Sequence, residues 1–175
     1  MFINVCIPNN NENEFIEIAK KLGTDALCFI NSDKKDFNFK TFNGSFSKGK
    51  LIFEPIRKNI SNKNRVYYYT SNKSKSFHYP SNLTQVTIKK IKELKSILLI
   101  PLYEVKEKNI EEIKFLIKIS KKYKLKLGLA CFAKNPYELK SKKDLISLAI
   151  CLGMDTSQID SCFSCLGDFC SAMFL

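Results

Sequence analysis

The chain has 175 residues, 45% of them hydrophobic, and its 29 basic and 17 acidic residues leave a net charge of +12. That length fits one domain able to bury a core without disulfides or metal, and no apolar run reaches the roughly 18 residues needed to span a bilayer. The opening MFINVCIPNNNENEF lacks the basic start and long apolar stretch of a signal peptide, so a soluble cytoplasmic protein that uses no membrane is expected.

Phe2 to Ile7 reads as a short buried strand, followed by an Asn/Glu-rich turn and a helix with Phe15, Ile18, Ala19 and Leu22 on one face. Gly23 ends that helix. Ala26 to Ile30 is a second strand, and a strand-helix-strand unit of this kind implies parallel pairing.

Residues 31 to 82 break the rhythm with Asn, Ser, Lys and Gly. Only Leu51 to Glu54 and Val66 to Thr70 have strand composition there. Asp33 to Lys75 holds eleven Lys/Arg against three Asp/Glu, about two thirds of the chain's net charge in a quarter of its length. Phe37, Phe39, Phe42, Phe46, Tyr67, Tyr68, Tyr69, Phe77 and Tyr79 are interleaved with these charges. Such a mixture can hold a phosphate backbone while bases stack on the rings. Alternation along each strand instead places most of the rings in the core, and that is the expectation here, with the lysines as a group left to contact phosphate.

The alternating pattern returns after Pro80, with a helix from Leu83 to Leu94 and a strand from Ile97 to Leu102. A further helix is opened by Asn109, and Glu112 three residues later suggests a capping box. Ile113, Leu116 and Ile117 form its apolar face, and Lys121 and Lys122 suit its C-terminal end. Leu125 to Cys131 is the next strand, which makes six. Strand-helix alternation of this kind predicts an α/β protein with helices outside a mostly parallel sheet. Periodicity does not choose between a small or irregular barrel and an open doubly wound sheet, and a complete eight-fold barrel usually takes about 250 residues.

Seven cysteines accompany a single histidine, His78. Cys6, Cys28, Cys131 and Cys151 lie in apolar surroundings and read as reduced, packed thiols. Cys162 and Cys165 form a CxxC pair with Cys170 close behind, but the second Cys/His pair of a zinc site is missing. Packing is therefore expected of these three, with no metal and no cofactor.

Loops beyond the C-terminal ends of parallel strands are where functional groups gather. Lys134, Lys140, Lys142 and Lys143 crowd one such loop, opposed only by Glu138, and Pro136 restricts its backbone. Ser141 and Asp144 match a capping signature, so a helix should begin near Lys142, with exposed N–H groups that favour an anion. Leu145, Leu148, Ala149 and Leu152 supply its apolar stripe and Gly153 its stop, while Asp155 with Gln158 caps a final helix. Almost all the basic charge is lysine, with Arg57 and Arg65 the only arginines. That suits phosphate contact better than bidentate reading of bases.

The run AKNPYELKSKKDLISLAICLGM, followed by a helix of Ser and Cys residues, resembles the C-terminal signature of the ribonuclease P protein component 3 family, archaeal relatives of the eukaryotic 30-kDa ribonuclease P subunit. Glu138, Lys140, Asp144, Leu145, Gly153 and Met154 fit the pattern, and EFIEIAKKLGTDALCF is similar to the family's N-terminal helix and second strand. The likeness covers about half of the chain, at its two ends. Lys140 stands where the family usually has Arg and Lys142 where it has Pro, while Cys131 and Phe132 replace small polar residues.

The resemblance implies a TIM-like barrel, similar to phosphoesterase barrels and reduced in size, over residues 1–175. It also implies a non-catalytic protein subunit of ribonuclease P, which removes 5′ leaders from precursor tRNA through its RNA. The implied partners are the ribonuclease P RNA, precursor tRNA in the assembled enzyme and protein component 2. A metal-dependent phosphoesterase is not expected, because one histidine and no HxH after the first strand cannot supply two or three ions. A basic scaffold for another RNA or a protein partner remains the alternative. The expected RNA contacts are Lys134, Lys140, Lys142 and Lys143, with Arg57, Lys58, Arg65, Lys73 and Lys75 as a second group.

Overall fold

The computed structural model describes residues 1–32, 37–47, 50–56, 60–71 and 84–174. Arg57, Lys58, Lys73, Lys75, Phe77, His78, Tyr79 and Leu83 lie outside these residues. Among the described residues seven strands occur: β1 (Ile3–Cys6), β2 (Ala26–Ile30), β3 (Thr41–Gly44), β4 (Phe53–Pro55), β5 (Val66–Tyr68), β6 (Ile97–Pro101) and β7 (Leu127–Ala130). Five helices accompany them: α1 (Glu12–Lys21), α2 (Gln85–Glu93), α3 (Ile110–Tyr123), α4 (Lys142–Cys151) and α5 (Thr156–Phe174).

Every residue of β1, β2, β6 and β7 is buried. That is the near-continuous apolar pattern of strands covered on both faces. All strand pairings are parallel, with β1-β2-β3 in one sheet and β4-β5-β6-β7 in another. The sheets also meet at two places. At one, the Ser45 N–H donates to the Leu51 carbonyl and the Phe53 N–H to the Ser45 carbonyl, both at 2.9 Å. At the other, the Ile7 N–H donates to the Ala133 carbonyl (2.8 Å) and the Ala133 N–H to that of Val5 (3.0 Å).

The two-residue period of the strands divides the core into two layers. Ile3, Val5, Cys28, Ile30, Phe53, Val66 and Leu99 pack together on one side. On the other, Phe2, Phe29, Tyr67, Leu98 and Leu129 meet Phe15 of α1, Ile88 of α2, Leu116 of α3 and Leu145 of α4. Helix α5 belongs to both layers, because Cys162 and Phe163 join the helix-side cluster while Cys165, Leu166 and Cys170 join the other. It fits between β7 and the start of β1 through close approaches at two glycines. A Cβ on Gly128 would lie 2.6 Å from Leu99 Cδ2 and 2.8 Å from Cys165 Sγ, and one on Gly167 would lie 2.6 Å from the Met1 carbonyl oxygen.

The cysteines of α5 therefore act in packing. The Leu129 N–H donates to Cys162 Sγ (3.1 Å), and the Cys165 thiol donates to the Cys162 carbonyl (3.2 Å). Burial pushes the thiols of Cys162 and Cys170 up to about 12 and that of Cys131 to about 11. Cys6, Cys28 and Cys165 are raised for the same reason. Cys151 departs from expectation: α4 turns it to solvent and it is the exposed one of the seven. Only the thiolate is reactive, so iodoacetamide at pH 7.5 should alkylate Cys151 alone in the native protein and all seven after unfolding. Mass spectrometry reading more than one rapid adduct on native protein would contradict this burial pattern.

Two further expectations are corrected. Thr41–Gly44 is a strand that composition did not reveal, so the described residues hold seven strands where six were expected. Asn109 makes no capping box with Glu112. Its amide donates instead to the Glu104 carbonyl (2.9 Å) and carboxylate (3.1 Å), tying the start of α3 to the turn after β6. Asp155 and Gln158 do cap α5: the Gln158 N–H donates to Asp155 Oδ1 at 2.9 Å, and Asp155 also pairs with Lys121.

Candidate nucleic-acid interface

The segment from Ala133 to Lys143 is held at several points along its length. Ala133 is paired to β1, Pro136 and Leu139 are buried, and Asn4, itself fully buried in β1, donates from Nδ2 to the Lys140 carbonyl at 3.1 Å. The Lys140 backbone N–H lies against the Cys131 thiol and offsets part of the rise that burial imposes on it. Between these anchors a short turn, Pro136–Glu138, is capped reciprocally. The Tyr137 N–H donates to Asn135 Oδ1 (3.0 Å), and Glu138 Oε2 accepts from the Lys134 (2.8 Å) and Asn135 (3.3 Å) N–H groups.

A second capping box opens α4. The Asp144 N–H donates to Ser141 Oγ (3.2 Å), while the Ser141 N–H (3.2 Å) and hydroxyl (2.8 Å) donate to Asp144 Oδ2. Each such cap is typically worth about 1 kcal/mol. Their larger effect here is electrostatic, because both carboxylates of the segment are committed to backbone and hydroxyl donors. Lys134, Lys140, Lys142 and Lys143 are all exposed and form no ion pair among the described residues. Four cations are thus presented to solvent by a backbone that is already fixed, as an anion-binding surface requires.

Tyr137 stands among these lysines with 80% of its surface exposed. Its ring offers a stacking face beside the charges. The signal in the sequence was an aromatic side chain inside a lysine-rich turn, N-P-Y-E, which reading by charge alone passed over.

Arg65 is not gathered with the loop lysines. It precedes β5, at the N-terminal end of the parallel strands, whereas residues 134–143 follow β7 at the C-terminal end. Its Nε lies 3.4 Å from Glu54 Oε1, so its charge is met within the fold.

At the C-terminal end of the strands a run of aromatic rings is continuous. Phe46 lies 6.1 Å from Tyr68, Tyr68 lies 5.4 Å from Phe132, and Phe132 lies 6.4 Å from Tyr103. Phe132 also meets Phe53 edge-on at 5.9 Å. The backbone of Phe132 has φ +49°, a left-handed conformation that costs a bulky residue on the order of 1–3 kcal/mol. Tyr69 and Glu112 influence one another electrostatically. Burial first, then Glu112, raises the Tyr69 hydroxyl, and burial raises the Glu112 carboxyl. Among the described residues no cluster of three or more His, Cys, Asp or Glu side chains is placed to hold a metal ion.

No protein-family profile and no curated protein matches the sequence. Among solved structures, the fold is similar to that of a chain in the cryo-EM structure of an archaeal ribonuclease P with mature tRNA, with a TM-score of 0.71 and 11% sequence identity. The match covers 98% of this chain and 90% of that one, so the two share an α/β fold of parallel strands and helices over nearly their whole lengths.

Proposed function

We propose that the chain is a non-catalytic protein subunit of ribonuclease P whose lysine loop binds RNA. The observation that carries this reading is the near-complete fold likeness to a chain of an archaeal ribonuclease P. It coincides with the ribonuclease P resemblance carried by residues 133–154. The partners on this reading are the ribonuclease P RNA, precursor tRNA within the assembled enzyme, and protein component 2.

The fold proposed with it is a small TIM-like barrel of seven parallel strands. The hydrogen bonds that join β1 to the end of β7 and β3 to the start of β4 support it, because they link the two sheets in the same parallel sense at both edges. Helix α5 packs against β7 and the start of β1 beside the junction of those two strands.

Chemically, the protein's part is to neutralise phosphate. Lys134, Lys140, Lys142 and Lys143 each displace counterions from an RNA backbone, and the anchored loop lets them act together. Arg57, Lys58, Lys73 and Lys75 remain proposed as a second group, whereas Arg65, committed to Glu54, contributes less. The test is reconstitution of precursor-tRNA cleavage from ribonuclease P RNA and its protein subunits, with and without this chain. Cleavage at low magnesium should depend on the chain, and an identical rate in its absence would exclude the assignment.

A further inference from the structure

The aromatic run at the C-terminal end of the strands has no part in phosphate neutralisation, yet two of its four rings remain open to solvent. Phe46 is 38% and Tyr103 43% exposed, while Phe132, which joins the Tyr68 and Tyr103 ends of the run, is only 2% exposed. Phe132 is kept there in a left-handed backbone conformation that glycine would adopt without cost. What the phenyl ring supplies is position. It packs edge-on to Phe53 and Tyr103, with interplanar angles of 89° in both cases, and tilted against Tyr68.

We infer that this run is a stacking platform for unpaired nucleobases of single-stranded RNA, with Phe46 and Tyr103 as contact rings at its two ends, Tyr68 packed against the first and Phe132 positioning the second. The inference rests on the RNA-binding reading of the lysine loop and extends it to a second kind of contact. Three features favour a base over an apolar peptide or a phosphate. The rings are flat π-surfaces, which every base can stack upon. Lys134 follows Phe132 by two residues and is exposed, so a backbone phosphate of the same strand finds a cation at the edge of the site. At the other edge Glu104 neighbours Tyr103 in the chain, and its negative charge disfavours phosphate there. The Tyr103 ring carries no charge, since burial, with Tyr68 and Glu104, pushes its hydroxyl up to about 12.

The test uses the full chain and a short unstructured RNA carrying one 2-aminopurine, whose emission is quenched when it stacks. The protein contains no tryptophan, so probe and tyrosine emission can be followed without interference. Quenching is expected with the native chain. Tyr103→Ala and Phe46→Ala, both at exposed positions, should each weaken binding about tenfold and reduce quenching, while the slope of log affinity against log salt stays unchanged. Tyr103→Phe should bind and quench as the native chain does. Unchanged affinity in both alanine variants would overturn the inference, as would a loss in Tyr103→Phe equal to that in Tyr103→Ala. Stacking retained alongside failure to support precursor-tRNA cleavage would instead reject the ribonuclease P assignment and leave the base site standing.

Discussion

Replacing Lys134, Lys140, Lys142 and Lys143 together by alanine should lower affinity for structured RNA on the order of a thousandfold at physiological salt. A charge pair 4 Å apart in water is worth roughly 1 kcal/mol, and four such pairs amount to about three decades of affinity. The salt dependence should flatten as well, with the slope of log affinity against log salt falling in magnitude by about 3. Stability should change little, because all four side chains are exposed and unpaired among the described residues and exposed substitutions of this kind stay within about 0.5 kcal/mol. Filter binding across a salt series, with thermal melts of both proteins, checks the pair of expectations. A loss of affinity that leaves the slope intact would place phosphate contact elsewhere on the protein.

Gly128→Val should destabilise the fold by more than about 3 kcal/mol, a large share of the 5–15 kcal/mol that holds a typical domain together. Two effects oppose one another. Valine suits a strand better than glycine by up to about 1 kcal/mol. Against it, even the first carbon of the side chain would lie 2.6 Å from Leu99 Cδ2, 2.8 Å from Cys165 Sγ and 3.2 Å from the Cys162 carbonyl oxygen. Overpacking costs about 1–3 kcal/mol where neighbours can yield, and here one of them is helix backbone. Urea denaturation measures the loss. Combining Gly128→Ala with Cys165→Ala should recover part of the cost of Gly128→Ala alone, since it clears the sulfur. Strict additivity in that cycle would mean that α5 does not press on β7 at this point.

The parts of the fold that could be read in the sequence are those where one force dominates. β2, β6 and β7 are unbroken apolar runs and β1 is interrupted only by Asn4, and the caps at Ser141 and Asp155 are local chemistry that needs nothing from the rest of the chain. Thr41–Gly44 escaped because its strand is made by its neighbour: Leu27 to Ile30 offer a parallel edge, and three of its four residues are only half-buried. Asn109 was misread because Glu104, brought close by the turn after β6, competes for its side chain. Cys151 was misplaced because α4 from Leu145 onward is apolar at every position but Ser147, so some apolar side chains must face solvent, Ile150 among them at 57% exposed. At the candidate interface, lysine density picked out residues 134–143 and a second basic group, but it could not show that Arg65 in that second group lies at the other end of the strands and is paired. That distinction depends on which end of a parallel strand a residue occupies and on the nearness of Glu54. The aromatic run was hidden for a related reason, because Phe46, Tyr68, Tyr103 and Phe132 come from four separate stretches of sequence.

The seating of α5 also governs the order in which the molecule can be made. Met1 lies against Gly167, and Phe2 meets Phe163 edge-on at 5.8 Å, so the first strand leaves the ribosome long before the helix that completes its surroundings. Until then the apolar edges of β1 and β7 have no cover, and contacts this distant in sequence are slow to form. A chain emerging at ordinary translation speed therefore passes most of its synthesis as an unfinished sheet, a state that sticks to other chains and draws chaperones. The docking of α5 is what ends that exposure.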